Sequence, residues 1–298
     1  MARAALPRFL EREQRSFLAR GRSGWGPHLA KVRSFLGGGL EAARGPALIL
    51  GAGAGLEVPW ALAPPSTVGW DADPWSRVRT FLRHRTWRPW VFRDLTGGMD
   101  ELWATASRTA RLPWSGQVRA GRTAALRLAG LMKSMAPDAG PLASWIEARR
   151  PGTILCANVM GQFGVVARGL VDRAFGGRAP WVDEEGAADP LDEALRDWTA
   201  RAVAAFLDVL ARSGADLWLV HDRGVVFGGV PLALGPLREP WTAQLRADAP
   251  LEADDPLCGI DVADAFRGRK MERHERWLWA LGPDQTHVME SLRVRVAL

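Results

Sequence analysis

The chain has 298 residues, 47% of them hydrophobic, which suffices for one α/β domain of about 200 residues with additions, or for two smaller domains. Two cysteines, Cys156 and Cys258, exclude a disulfide framework, and the lack of a signal-like N-terminus or of eighteen uninterrupted apolar residues argues for a soluble, cytoplasmic protein. The formal net charge of +6 lies wholly in residues 1–45, where nine Lys or Arg face three Glu; the rest balances at 30 against 30. Arginine outnumbers lysine 36 to 3, tyrosine is absent and asparagine occurs once, the mark of a GC-rich, bacterial genome, so arginine abundance alone carries little meaning.

The basic arm, 1–45, reads as two amphipathic helices, Pro7 to Ala19 and His28 to Phe35, separated by Gly21-Arg-Ser-Gly-Trp-Gly and stopped by Gly37-Gly-Gly. Its charge suits an anionic substrate or nucleic acid. No RNA-binding aromatic motif or GXXG clamp accompanies it, which favours a helical face packed against the remaining chain, 46–298.

Next comes Ala47-Leu-Ile-Leu-Gly-Ala-Gly-Ala-Gly-Leu-Glu57. Its apolar start without alternation predicts a strand covered on both faces, and its glycines predict a sharp turn that lets a ligand approach the backbone. The spacing predicts a helix over 56–62 whose amides point at that ligand, and a second strand, Val68-Gly-Trp, that delivers Asp71 to two sugar hydroxyls. Two cofactor classes fit such a unit. The dinucleotide fingerprint wants a small residue at position 56, which is Leu here, and a nicotinamide-dependent oxidoreductase usually brings a Tyr–Lys proton donor to a chain that has no tyrosine.

The form G-x-G-x-G resembles the first motif of the class I S-adenosylmethionine-dependent methyltransferases. That resemblance implies a Rossmann-like three-layer fold: a mostly parallel seven-stranded sheet ending in an antiparallel hairpin. It further implies that Gly51, Ala52, Gly53, Gly55 and Glu57 border the methionine part of S-adenosylmethionine, with Asp71 at the ribose and Ala72 at the adenine. Arg88 to Asp94 reads as a third strand, and the resemblance implies that Asp94 at its end holds the adenine amino group, with Leu95 beside it in the cofactor site. The family usually carries an acidic residue two places before the first glycine, where this chain has Ile49.

The fourth strand, Thr153 to Asn158, ends in the only asparagine, and the fifth, Ala215 to Asp222, ends in His221 and Asp222. In an open parallel sheet all these tips share one crevice. Asn158 is therefore a candidate for both cofactor and substrate, and His221, with Asp222 beside it, a candidate base. The five histidines show no metal-ligand spacing, and Cys156, inside an apolar strand, reads as a buried hydrophobe.

Two insertions, near 98–150 and 223–273, are of a size to build a substrate lid, the first with a helix near Arg122 to Met135. Between them Asp189 to Ser213 reads as one long helix started by Asp189-Pro190, and a strand pair over Trp277 to Leu298 closes the sheet. The resemblance implies a methyltransferase, an enzyme, and the lid-sized insertions without an appended nucleic-acid domain favour a small-molecule acceptor, with RNA or protein as the alternative acceptor. A nucleotide-binding protein without activity remains the third possibility.

Overall fold

A computed structural model describes residues 10–11, 25–111, 118–177, 189–227, 254–282 and 285–295. The chain is α/β, with one mostly parallel central sheet. The strands are β1 (Ala47–Leu50), β2 (Val68–Trp70), β3 (Trp90–Val91), β4 (Thr153–Ala157), β5 (Asp216–Phe227), β6 (Lys270–Gly282) and β7 (Gln285–Arg295). They lie in the order β3-β2-β1-β4-β5-β7-β6, and β7 alone runs against its neighbours.

Alternation along the strands sorts their side chains between two cores. Leu48, Leu50, Ile154, Cys156, Leu217 and Leu219 point to one face. That face is covered by α3 (Met99–Ala110), α4 (Val118–Ser134), α5 (Gly140–Arg149), α6 (Gln162–Ala174) and α7 (Pro190–Arg212). Ile49, Leu155, Trp218 and Val220 point to the other, where Val32, Phe35, Leu36 and Leu40 of α1 (Gly26–Glu41) meet them. Ile49 is thus a core residue with no exposure to any ligand. The remaining helix, α2 (Ser76–His84), follows β2.

Several elements follow the expected pattern. The Asp189 carboxylate accepts the Leu191 amide at 2.8 Å to start α7, and β6 with β7 forms the closing antiparallel pair. Of the first expected helix, only Leu10 and Glu11 fall within the described residues. The insertion near 98–150 contributes α3, α4 and α5, all packed into the first core, and 228–253 of the second insertion lies outside the described residues. No helix among the described residues is long and apolar enough to cross a membrane.

Four expectations need correction. First, Gly37-Gly-Gly does not stop the arm's second helix; α1 runs through it to Glu41. A Cβ at Gly39 would stand 2.8 Å from the Trp218 ring, so these glycines let the helix backbone lie directly on a strand's indole. Second, no α-helix spans 56–62. Gly51, Gly53 and Gly55 hold φ of +65°, +51° and +69°, and only a single 3-10 turn, Trp60–Leu62, forms after Pro59. Third, β3 stops at Val91, so Asp94 sits in a turn beyond the strand. Fourth, β5 continues to Phe227 and pairs with β7 beyond the last β4 contact, which puts His221 in mid-strand.

The α1 glycines yield a stability prediction. Gly39→Ala should destabilise the protein by about 1–3 kcal/mol through overpacking. Gly130→Ala, also inside a helix but with nothing within 4 Å of the added methyl, should stabilise it by about 0.5–1 kcal/mol. Urea unfolding of both variants should move the midpoints in opposite directions.

Candidate functional site

An open cleft lies beyond the carboxyl ends of β1, β2 and β4, the edge where a parallel sheet takes its ligands. One wall is the glycine turn, Gly51 to Ala54. The opposite wall is apolar, from Leu95, Met99, Val159, Phe163 and Val166, and Leu10 of the basic arm also reaches the cleft. Its polar side chains are four carboxylates, Glu57, Asp71, Asp73 and Asp94, and the amide of Gln162. Among the described residues that line it there is no Lys, Arg or His.

The turn is shaped from both sides. Gly51 and Ala52 donate their amides to the Trp70 carbonyl, Gly53 donates to Asp71 Oδ2 at 2.7 Å, and Gly55 donates to the Ala52 carbonyl. Their N–H groups are therefore already committed to protein acceptors. On the outer side three successive carbonyls are captured by cationic or ring N–H groups: Ala54 by Arg83, Gly55 by His84 Nε2 at 2.7 Å, and Leu56 by Arg33 Nε at 2.6 Å. A carbonyl only accepts, so the His84 proton is on Nε2. Burial foremost lowers that histidine's pKa, which keeps it neutral. These side chains come from α1 and α2 and do what a following helix was expected to do, fixing the turn.

Asp71 stands at the tip of β2. Oδ1 accepts the Asp73 amide at 2.8 Å and Oδ2 the Gly53 amide, and the buried Ser76 hydroxyl also favours the charged form of this carboxylate, which lines the cleft. Burial, only partly offset by these two amides, pushes its pKa up to about 6. Asp73 turns away to an ion pair with Arg79. Asp94 accepts the Thr96 amide at 2.9 Å, the Thr96 hydroxyl at 2.7 Å and the Met99 amide at 2.9 Å, holding the first turn of α3, and burial raises its pKa as well.

Glu57 is held from outside the turn. His28 Nε2 lies 3.3 Å from Glu57 Oε1, and His28 Nδ1 accepts the Trp277 indole N–H at 3.2 Å. Indole N–H only donates, so Nδ1 is bare and the His28 proton points at Glu57. The His28 ring stacks on Trp279 with centroids 4.0 Å apart.

Gly51, Ala52, Gly53, Glu57, Asp71, Ala72, Asp94 and Leu95 all line the cleft; Gly55, Asn158, His221 and Asp222 do not. Asn158 is buried at φ +48° and meets the cleft only through its carbonyl, which accepts the side-chain amide of cleft residue Gln162 at 2.9 Å. His221 and Asp222 do not form the expected pair, because neighbours on a strand point to opposite faces. His221 is fully buried, 3.4 Å from Glu290, which also takes Arg276 Nε at 2.8 Å; burial foremost lowers the histidine's pKa. Asp222 instead bonds His287 Nδ1 at 2.9 Å, whose Nε2 meets Gln285 at 2.8 Å. No sequence motif singles out His287, Arg33, Arg83 or His84, and it is the register of β5 on β7 that joins Asp222 to His287. Burial pushes Cys156 up to about 12, an inert thiol. No group of metal-ligating side chains is found among the described residues.

No family model matches the chain, and no curated protein matches it. Among solved structures it is similar to one from work on the conversion of a disulfide bond into a thioacetal group during echinomycin biosynthesis. Identity is 13%, coverage is 92% of this chain and 85% of the other, and the TM-score is 0.35, a likeness that carries no argument about fold or activity.

Proposed function

We propose that the chain is an S-adenosylmethionine-dependent methyltransferase with a Rossmann-like fold. The observation that carries this reading is the sign of the cleft. Carboxylates line it, no described cation does, and the amides of Gly51, Ala52, Gly53 and Gly55 are spent on protein acceptors. A pyrophosphate needs the reverse, N–H donors and a helix N-terminus, so a dinucleotide fits poorly. A sulfonium with an ammonium group is a cation and fits well.

In this reading the Asp71 carboxylate takes the ribose hydroxyls, Glu57 faces the cationic methionine end, and Ala72, Asp94 and Leu95 border the adenine. Bound there, the cofactor supplies an electrophilic methyl group. The protein's part is to position it and to exclude water along the apolar wall of Met99, Phe163 and Val166, chemistry that requires no strong base. His221 and Asp222, away from the cleft, support the sheet in this reading, and Asn158 orients Gln162. The small-molecule acceptor expected from the insertions now rests on the second insertion, because the helices of the first belong to the core.

Titration calorimetry tests the reading. S-adenosylmethionine and S-adenosylhomocysteine should each release or absorb heat on binding, and NAD should not. Heat from NAD alone, or from none of the three, overturns it.

A further inference from the structure

The turn that follows Asp73 leads to a surface of another kind. Between Asp73 and Asp94 the sequence holds six arginines, Arg77, Arg79, Arg83, Arg85, Arg88 and Arg93, and no Asp or Glu. In residues 46–298, whose bases and acids balance at 30 against 30 with this run included, such a run is a local cationic field. Arg79 is neutralised by Asp73, but Arg83, Arg85 and Arg93 are exposed.

Aromatic rings are interleaved with this charge. Trp75, Trp87 and Phe92 are 50%, 54% and 44% exposed. The Arg77 guanidinium lies 3.9 Å above the Trp87 ring, and Phe81 braces that ring edge-on. Trp60, Trp90 and Phe92 form a stacked run, with centroids 5.3 Å and 6.4 Å apart, that ends at the exposed Phe92. The face lies along β3, the edge strand of the sheet, which pairs only with β2.

Scattered apolar residues on a surface need no explanation, but flat rings braced by their neighbours and set among unopposed arginines do. The partner that offers both negative charge and ring faces is a nucleic acid with unpaired bases. A duplex hides its ring faces, and a second copy of this chain would bring like charge against like. We propose that the face formed by α2 and β3 binds single-stranded nucleic acid, its bases stacking on Trp87 and Phe92 and its phosphates meeting Arg85 and Arg93. The proposal stands on this surface alone and is independent of the cofactor reading.

Fluorescence anisotropy of the full chain with a labelled oligonucleotide of about twelve nucleotides, RNA and DNA in separate arms, tests it. Binding should fall steeply with added salt. Trp87→Ala and Phe92→Ala should each weaken it by about tenfold, and Arg85→Glu with Arg93→Glu should remove it. S-adenosylmethionine calorimetry on the same variants shows whether each still folds, and a set of far-UV spectra serves where no cofactor binds. Absence of binding in both arms, unchanged affinity in both ring variants, equal binding of a duplex, or dimerisation through this face overturns the proposal.

Discussion

Asp71→Ala should weaken S-adenosylmethionine binding by roughly 10²–10⁴-fold, since in the proposed reading it removes two hydrogen bonds to a charged acceptor, each on the order of 1.5–3 kcal/mol. The same carboxylate fastens Gly53 and Asp73, so the turn loosens too and the loss exceeds that of a simple contact. Asp71→Asn keeps the shape and isolates the charge. Titration calorimetry at pH 7.5 on both variants measures the two effects.

The pH dependence gives a sharper form of the same prediction. Burial pushes the Asp71 carboxyl up to about 6 from an ordinary value of 3.8, so between those limits the folded protein holds a proton that the unfolded chain has released. Its contribution to stability is therefore present in acid and is lost as pH rises through about 6. Binding of the proposed cofactor should run the opposite way, because only the ionised carboxylate accepts on both oxygens and accepts most strongly from the two ribose hydroxyls. Affinity should rise about tenfold per unit up to pH 6 and then level off. Asp71→Asn should flatten that profile, and a wild-type affinity that does not change between pH 5 and 7 would sink the assignment.

Gly51→Ala should cost about 3 kcal/mol of stability and with it the cofactor site. Gly51 holds φ +65°, and an added Cβ would lie 2.6 Å from Val159 Cβ and 3.3 Å from the Ala157 carbonyl oxygen. Left-handed strain contributes about 1–2 kcal/mol and overpacking about 1–3 kcal/mol. Gly45 is the control: its φ is +98° but nothing lies within 4 Å, so Gly45→Ala should show strain without a clash. Calorimetric melting should lower Tm for Gly51→Ala by roughly 10 °C and for Gly45→Ala by a few degrees. Equal shifts would mean that crowding against Val159 is unimportant.

Much of the scaffold is readable from local pattern. Leu48 to Leu50 and Thr153 to Ala157 are unbroken apolar runs because helices cover both faces, and the Asp189-Pro190 start of α7 is a property of two adjacent residues. Asp71 is readable for the same reason: strand, turn and acid lie within a few dozen residues. What escaped the sequence depends on partners far along the chain. Gly37-Gly-Gly looks like a helix stop until Trp218 is laid across it, and the turn after β1 looks like a helix start until Arg33, Arg83 and His84 take its carbonyls. His221 and Asp222 look like a pair until the strand sends them to opposite faces and β7 supplies Glu290 and His287.

The hold on Glu57 bears on how the protein is made. Its partner His28 lies in α1, and the indole that fixes His28, Trp277, is 249 residues further on. Trp279, on which the imidazole stacks, belongs to the same late strand. A nascent chain that has already formed β1, β2 and the Asp71 end of the cleft still has Glu57 untethered. Glu57 is therefore tethered only after β6, far along the chain, has been made and has docked on α1, so a chain still short of that strand lacks the contact.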